Sequence, residues 1–154
     1  MDTLKQFPDA EAAIYRRGAP DTFDASSLLR DLHRIRDSNE KTICLPGFDH
    51  AVGDPEPDAH TFHRDKHHIV ICEGLYLLHD DDGWGDIASC FDMTIYIDAN
   101  IDMCMERLKI RNACIPGYTV DEIAFRVDAI DRKNAHTVAK AKDRANNVYK
   151  SIAS

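Results

Sequence analysis

The chain of 154 residues carries a formal net charge of −8, with 44% hydrophobic and 30% charged residues. That length suffices for one domain with its own core, and the acidic balance excludes a general nucleic-acid binder, whose backbone affinity needs a basic surface. The opening MDTLKQFPDAEAA lacks a basic segment followed by an apolar one, and no later stretch approaches the roughly 20 apolar residues that span a bilayer, so a cytoplasmic protein without a membrane partner is expected.

From the N-terminus, a short helix is expected from about Asp9 to Tyr15. Asp24 can cap a second helix, in which Leu28, Leu29, Leu32 and Ile35 recur at helical spacing and which should end near Ser38 and Asn39. Thr42 to Leu45 reads as a short strand closed by Pro46 and Gly47. The following FDHAVGDPEPDAHTF reads as an irregular loop, because it is rich in Pro, Asp and Gly. His68 to Cys72 reads as a buried apolar strand that delivers Glu73 to a turn, with Leu75 to Leu78 leading on to a solvated acidic turn, Asp80-Asp81-Asp82-Gly83.

A short helix around Gly85 to Cys90 then leads into a strand from Met93 to Ile97, whose continuous apolarity suits a parallel sheet covered on both faces. Asp98 or Asn100 caps the next helix, with Ile101, Cys104, Met105 and Leu108 as its buried stripe and Arg107 and Arg111 one turn apart. Thr119 and Glu122 make a capping box for a long helix in which Ile123, Val127, Ile130 and Val138 keep the period. Asn147 to Lys150 forms a last strand. Strand-like and helix-like segments alternate without repeats, which points to an α/β layered domain.

Cys44, Cys72, Cys90, Cys104 and Cys114 form no CxxC pair and are odd in number, which fits free thiols in a reducing compartment. Cys44 and Cys72 fall in predicted strands, where a cysteine acts as a small buried hydrophobe. His60, His63, His67 and His68 lie where a loop enters a strand, without a thiolate pair, and read as solvated side chains rather than zinc ligands. Trp84, between two glycines, reads as an anchor for the short helix. A strand-end acid such as Glu73 in a nucleotide-handling α/β protein sits beside a loop of the form GxxxxGK[ST], yet here no glycine is followed by lysine.

RRGAPDTFD at Arg16 to Asp24, LPGFDHAVGDP at Leu45 to Pro55 and IVICEGLYLL at Ile69 to Leu78 occur in one order with short separations. This set resembles the uridine kinase, phosphoribulokinase and pantothenate kinase superfamily of P-loop small-molecule kinases, and most closely its branch of fungal and bacterial kinase-like proteins. ERLKIR at Glu106 to Arg111 looks like the family's lid-helix arginines, IDRKNA at Ile130 to Ala135 like its Asn-Ala turn segment, and RANNVYKSI at Arg144 to Ile152 like its closing strand.

The resemblance implies an incomplete doubly wound parallel sheet of P-loop NTPase type, in a single domain lacking the first strand, P-loop and first helix. The family's catalytic base belongs to that lacking part, and Asp2 is not its counterpart because Thr3 follows it. The lacking strand would lie mid-sheet and leave two neighbours unpaired, to be covered by a partner or by a second copy in a homo-oligomer. The implied activity is phosphoryl transfer from ATP to a hydroxyl of a small-molecule substrate, with ATP and Mg²⁺ as cofactors, deficient in this chain alone.

The implied site consists of Glu73 for the metal, Arg107 and Arg111 as lid residues over the transferring phosphates, and Arg16, Arg17, Asp49 and His50 for the acceptor substrate. Each has a plainer reading. Glu73 could be an acid satisfied by local amides, the arginine pairs solvated, and Asp49 part of an Asx turn. A non-catalytic metabolite-binding or regulatory module is the alternative to a kinase.

Overall fold

In a computed structural model that describes residues 4–48 and 54–152, the helices begin where side-chain caps allow them. Helix α1 (Ala10–Tyr15) starts at Asp9, whose carboxylate accepts the Ala12 N–H at 3.0 Å. Helix α2 (Ala25–Asp37) starts at Asp24, which accepts the Ser27 N–H at 2.9 Å and both the Ser26 and Ser27 hydroxyls. Asn100 caps α3 (Ile101–Asn112), and the Thr119/Glu122 capping box opens α4 (Val120–Arg126). Such side chains satisfy the amides that have no partner in a helix's first turn.

Beyond α4 the chain stays helical through a π-helical turn, Val127–Asp131, and into α5 (Arg132–Lys140). The IDRKNA segment therefore lies inside a helix and is not a turn. No glycine or proline occurs between Thr119 and Lys140 to stop the helix that the capping box starts.

Strand β1 (Thr42–Phe48) pairs antiparallel with β2 (Pro55–His63), Thr42 opposite His63 and Phe48 opposite Pro55. The segment expected as an irregular loop thus supplies a strand. Its two prolines are tolerated because, among the described residues, β2 has one neighbour and an open edge, while Asp58 in the left-handed region and a register shift between Leu45 and Gly47 absorb the remaining irregularity. Arg34 of α2, braced by Asp31 at 3.3 Å and Glu40 at 3.0 Å, ties this hairpin to the helix by donating to the Cys44 carbonyl at 3.4 Å, and Arg64 donates to the Glu40 and Arg34 carbonyls. Ile43 and Phe62 are buried, whereas Cys44 faces outward, contrary to the buried position expected for it.

Strand β3 (Ile95–Asp98) pairs parallel with β4 (Asn147–Lys150), which makes the fold α/β with a parallel sheet. The expected strand at His68–Cys72 has no regular secondary structure and pairs with no described segment, leaving Ile69 81% and Ile71 90% exposed. An apolar run becomes a buried strand only when neighbouring strands take its amides and carbonyls. Ile95 and Ile97 are likewise exposed, so one face of β3 is uncovered rather than neither.

Two apolar clusters hold the rest. One joins Leu32 of α2 to Tyr76, Trp84, Ile87 and Cys90, with Val138 of α5 against it. The other packs Met105 of α3 on Ile123 and Val127. Trp84 is the anchor its position suggested, fully enclosed, with its indole N–H donating to the Pro20 carbonyl at 3.2 Å.

Replacing Asp24 by alanine removes the α2 cap and is expected to lower the unfolding free energy by about 1 kcal/mol, seen as a lower urea midpoint at unchanged slope. The Ser27 hydrogen bonds, then that from Ser26, hold the Asp24 carboxyl below its usual value. Its contribution is therefore present above about pH 4 and lost as pH falls through the depressed folded-state value, so wild type and variant should converge in acid.

Candidate functional site

The RRGAP segment turns sharply because Gly18 adopts φ +103°, a conformation that strains any residue with a Cβ. Its N–H donates to Thr22 Oγ1 at 3.0 Å, and the Thr22 hydroxyl donates to the Ala19 carbonyl at 2.7 Å. The Gly18 carbonyl then receives two donors from distant parts of the chain. The Tyr76 hydroxyl reaches it at 2.7 Å and Asn134 Nδ2 at 3.2 Å. Phe23, Tyr76 and Trp84 stack around the turn with ring centroids 5.5–6.1 Å apart, inside the range of favourable aromatic pairs. Three of the recognisable segments, RRGAPDTFD, IVICEGLYLL and IDRKNA, thus meet at one carbonyl.

Arg16 follows α1 directly and donates to Asp21 at 2.8 Å. The hydrogen bond with Arg16 holds the Asp21 carboxyl below its usual value and raises the Arg16 guanidinium. Arg17 is half-buried; its backbone N–H donates to the Ile14 carbonyl at 3.3 Å, while its guanidinium makes no hydrogen bond or ion pair among the described residues. A cavity of about 450 Å³ opens beside the turn, lined by Arg16, Asp21, the acidic turn from His79 to Asp82 and the inner face of α5. The acidic turn, expected to be simply solvated, is one of its walls.

The other expected site residues lie elsewhere. Arg107 and Arg111 are exposed on α3 and do not line the cavity. Glu73 is exposed just after the unpaired segment His68–Cys72 and does not line the cavity either. Asp49 and His50 fall outside the described residues. His63 donates its backbone N–H to His67 Nδ1 at 3.0 Å, and His60 and His68 are exposed.

Two residues that sequence reasoning passed over belong to the site, Tyr76 and Asp131. Burial pushes the half-buried Asp131 carboxyl up, and Arg126 and Arg111 pull it down. Arg111 of α3 is thereby within electrostatic reach of the π-helical turn, to which Lys109 of the same helix is also joined through Asp128 at 2.9 Å. The signal for Asp131 is its place in IDRKNA; for Tyr76 it is an aromatic residue with a polar tip inside an apolar run.

Whether these residues fit Mg²⁺ and ATP is decided by their donor sets. Mg²⁺ takes an octahedral shell built from one or two carboxylates together with substrate phosphates. Among the described residues no group of three or more His, Cys, Asp or Glu is arranged to hold a metal, and none of the seven glycines precedes a lysine. One exposed carboxylate does not make an Mg²⁺·ATP site.

Residues 3–153 match the phosphoribulokinase / uridine kinase family. The chain belongs to that family. It is 32% identical over 142 residues to the ATP-dependent kinase-like protein notR′ of Aspergillus versicolor, a match covering 89% of this chain and 81% of that protein. It is 33% identical to a candidate uridine kinase of Schizosaccharomyces pombe, covering 91% of this chain and 60% of that one, and so spans under two-thirds of that relative's length. Among solved structures it resembles a candidate fructose transport system kinase from Silicibacter sp., with TM-score 0.79, 26% identity, 92% of this chain and 66% of that one. It also resembles YFH7 of Saccharomyces cerevisiae, described as a candidate P-loop kinase with a circular permutation, with TM-score 0.82, 25% identity, 99% of this chain and 54% of that one. No helix among the described residues of this family member is long and apolar enough to cross a membrane.

Burial, then the Asp131 and Asp21 carboxylates, pushes the Tyr76 phenol up to about 12. Its contribution is fully present below the unfolded phenol's pKa near 10 and is lost as pH rises from there towards the folded value. Tyr76→Phe should therefore cost about 1 kcal/mol at neutral pH and weaken the alkaline loss of stability, measured by urea unfolding across pH.

Proposed function

We propose that this chain carries the acceptor-side turn and the lid helix of an ATP-dependent small-molecule kinase, and that alone it is deficient in phosphoryl transfer to a hydroxyl acceptor. The convergence of the RRGAPDTFD, IVICEGLYLL and IDRKNA segments on the Gly18 carbonyl carries this reading. Three segments that resemble a kinase family separately become a single constructed turn, which presents the two arginines at its start. Arg16 is committed to Asp21. Arg17 keeps its full set of donors for an anionic group of the acceptor, in the bidentate manner that guanidinium favours.

Arg107 and Arg111 are the lid residues in this reading, and their exposure leaves both guanidinium groups available to an anionic ligand. Glu73 is the metal-side carboxylate of a complete kinase site. The deficiency follows from the donor sets already described, which hold neither a triphosphate nor its cation. Metabolite binding without transfer is the second reading, and the cavity beside an intact acceptor turn favours it.

Purified protein supplied with ATP, Mg²⁺ and a panel of nucleoside, pantothenate-like and sugar acceptors should show no ATP consumption above background and no ATP uptake by calorimetry. Turnover that persists through purification and disappears in Glu73→Gln would overturn the deficiency. Arg17→Ala should weaken binding of any acceptor that the panel reveals by roughly tenfold, the scale of one charge-assisted hydrogen-bonded contact.

A further inference from the structure

The inner face of α5 is unusual for a helix that packs on a domain. The stripe at helical spacing Ile130, Lys133, Thr137 and Lys140 borders the 450 Å³ cavity, with both lysines exposed at its rim, beside the side of the helix that packs on the domain, where a stripe is ordinarily apolar. Its neighbours on the same helix, Ala135 and Val138, pack on the two apolar clusters. The polar residues are therefore held over a hollow by a helix whose position is fixed on either side. Neither Lys133 nor Lys140 makes an ion pair among the described residues; Asp21, which is bonded to the nearby Arg16, also feels the charge of Lys133.

The acidic turn forms another part of the wall, and its carboxylates are only loosely engaged. Asp80 lies 3.9 Å from His79 Nδ1 and 3.7 Å from Arg144, Asp82 lies 3.7 Å from His79 Nε2, and Asp81 makes no side-chain contact among the described residues. His79 Nε2 is itself buried without a hydrogen-bond partner among the described residues. Buried polar atoms in folded proteins are nearly always satisfied, by protein, by water or by what binds beside them. The volume falls within the roughly 300–1,000 Å³ common for small-molecule pockets.

The two walls constrain the ligand's charge. An anion drawn to the lysines meets the Asp80–Asp82 carboxylates, and a cation drawn to those carboxylates meets the lysines. Like-charge juxtaposition at a binding surface penalises either ligand. A molecule carrying both charges at its two ends satisfies both walls.

We propose that this cavity binds a small hydroxyl-bearing zwitterion, its phosphate or carboxylate held by Lys133 and Lys140 and its ammonium group by the Asp80–Asp82 turn. This rests on the metabolite-binding part of the function proposed above and not on phosphoryl transfer. Glu73, Arg107 and Arg111 lie outside the cavity, so the binding requires neither nucleotide nor metal.

The test is calorimetry on the whole chain, without ATP, using three matched probes. Glucosamine 6-phosphate carries both charges, glucose 6-phosphate the anion alone and glucosamine the cation alone. Glucosamine 6-phosphate should bind, with each single-charge probe weaker by roughly tenfold or more, as expected when one charge-assisted contact is lost and one repulsion remains. Lys140→Gln and Asp81→Asn should each weaken glucosamine 6-phosphate by roughly threefold to tenfold, while urea unfolding of both variants stays at the wild-type midpoint. The His79 ring resonances should shift on titration with that probe. Absence of binding by glucosamine 6-phosphate, equal binding of glucose 6-phosphate, or affinity unchanged in both variants would overturn the proposal. Because no nucleotide is added, none of these outcomes depends on whether ATP is consumed.

Discussion

One carbonyl oxygen organises this protein. Gly18 accepts from Tyr76, 58 residues away, and from Asn134, 116 residues away, so segments from both ends and the middle of the chain are fixed to one point. A carbonyl has two lone pairs, and both are used here. Each such bond contributes about 1 kcal/mol net, but stripping partners from buried polar groups costs about 1–3 kcal/mol each. The turn, the aromatic group around it and the inner helix therefore stand or fall together. The direction in which Arg16 and Arg17 leave the turn is a consequence of that arrangement.

Helix α3 is held differently. Met105 seats α3 on Ile123 and Val127, and at the surface Lys109 joins Glu106 and Asp128 while Arg132 joins Asp128 and Asp102. Exposed pairs of this kind add little stability singly, but Lys109–Asp128 and Asp102–Arg132 each join α3 to the long helix and so bear on its orientation. Arg107 and Arg111 consequently project from a helix that is packed and paired against the π-helical turn and its flanks. Their reach comes from the side chains, and Arg111 already feels the carboxylate of Asp131.

Where the sequence carried its own local physics, the fold was legible. Asp9, Asp24, Asn100 and the Thr119/Glu122 box each mark a helix start in the structure, because a cap is a bond between near neighbours. What depended on distant partners was not. The run from His68 to Cys72 has a strand's composition, but Ile69 and Ile71 face outward because no described strand lies beside them. The Pro-rich segment after Phe48 became β2 because an open edge tolerates residues that a central strand rejects. At the site, RRGAP announced a turn, yet nothing in its spacing says that Tyr76 and Asn134 would close on it. Lys133 and Lys140 read as ordinary surface residues until the helix that bears them is seen against a hollow.

The π-helical turn from Val127 to Asp131 gives the long helix its reach. A regular α-helix keeps a single angular phase, so residues that touch one cluster at its start continue over the same side along its length. One wider turn slips that phase, and here Val127 faces one apolar cluster while Val138, three turns on, faces the other. Excising a single residue from this turn would rewind the downstream half by about 100°, the angle per residue of an α-helix. Asn134 would then leave Gly18, and the lysines would leave the cavity, with every remaining side chain chemically intact. Insertions and deletions within these five residues are thus a far more severe change than any single replacement there.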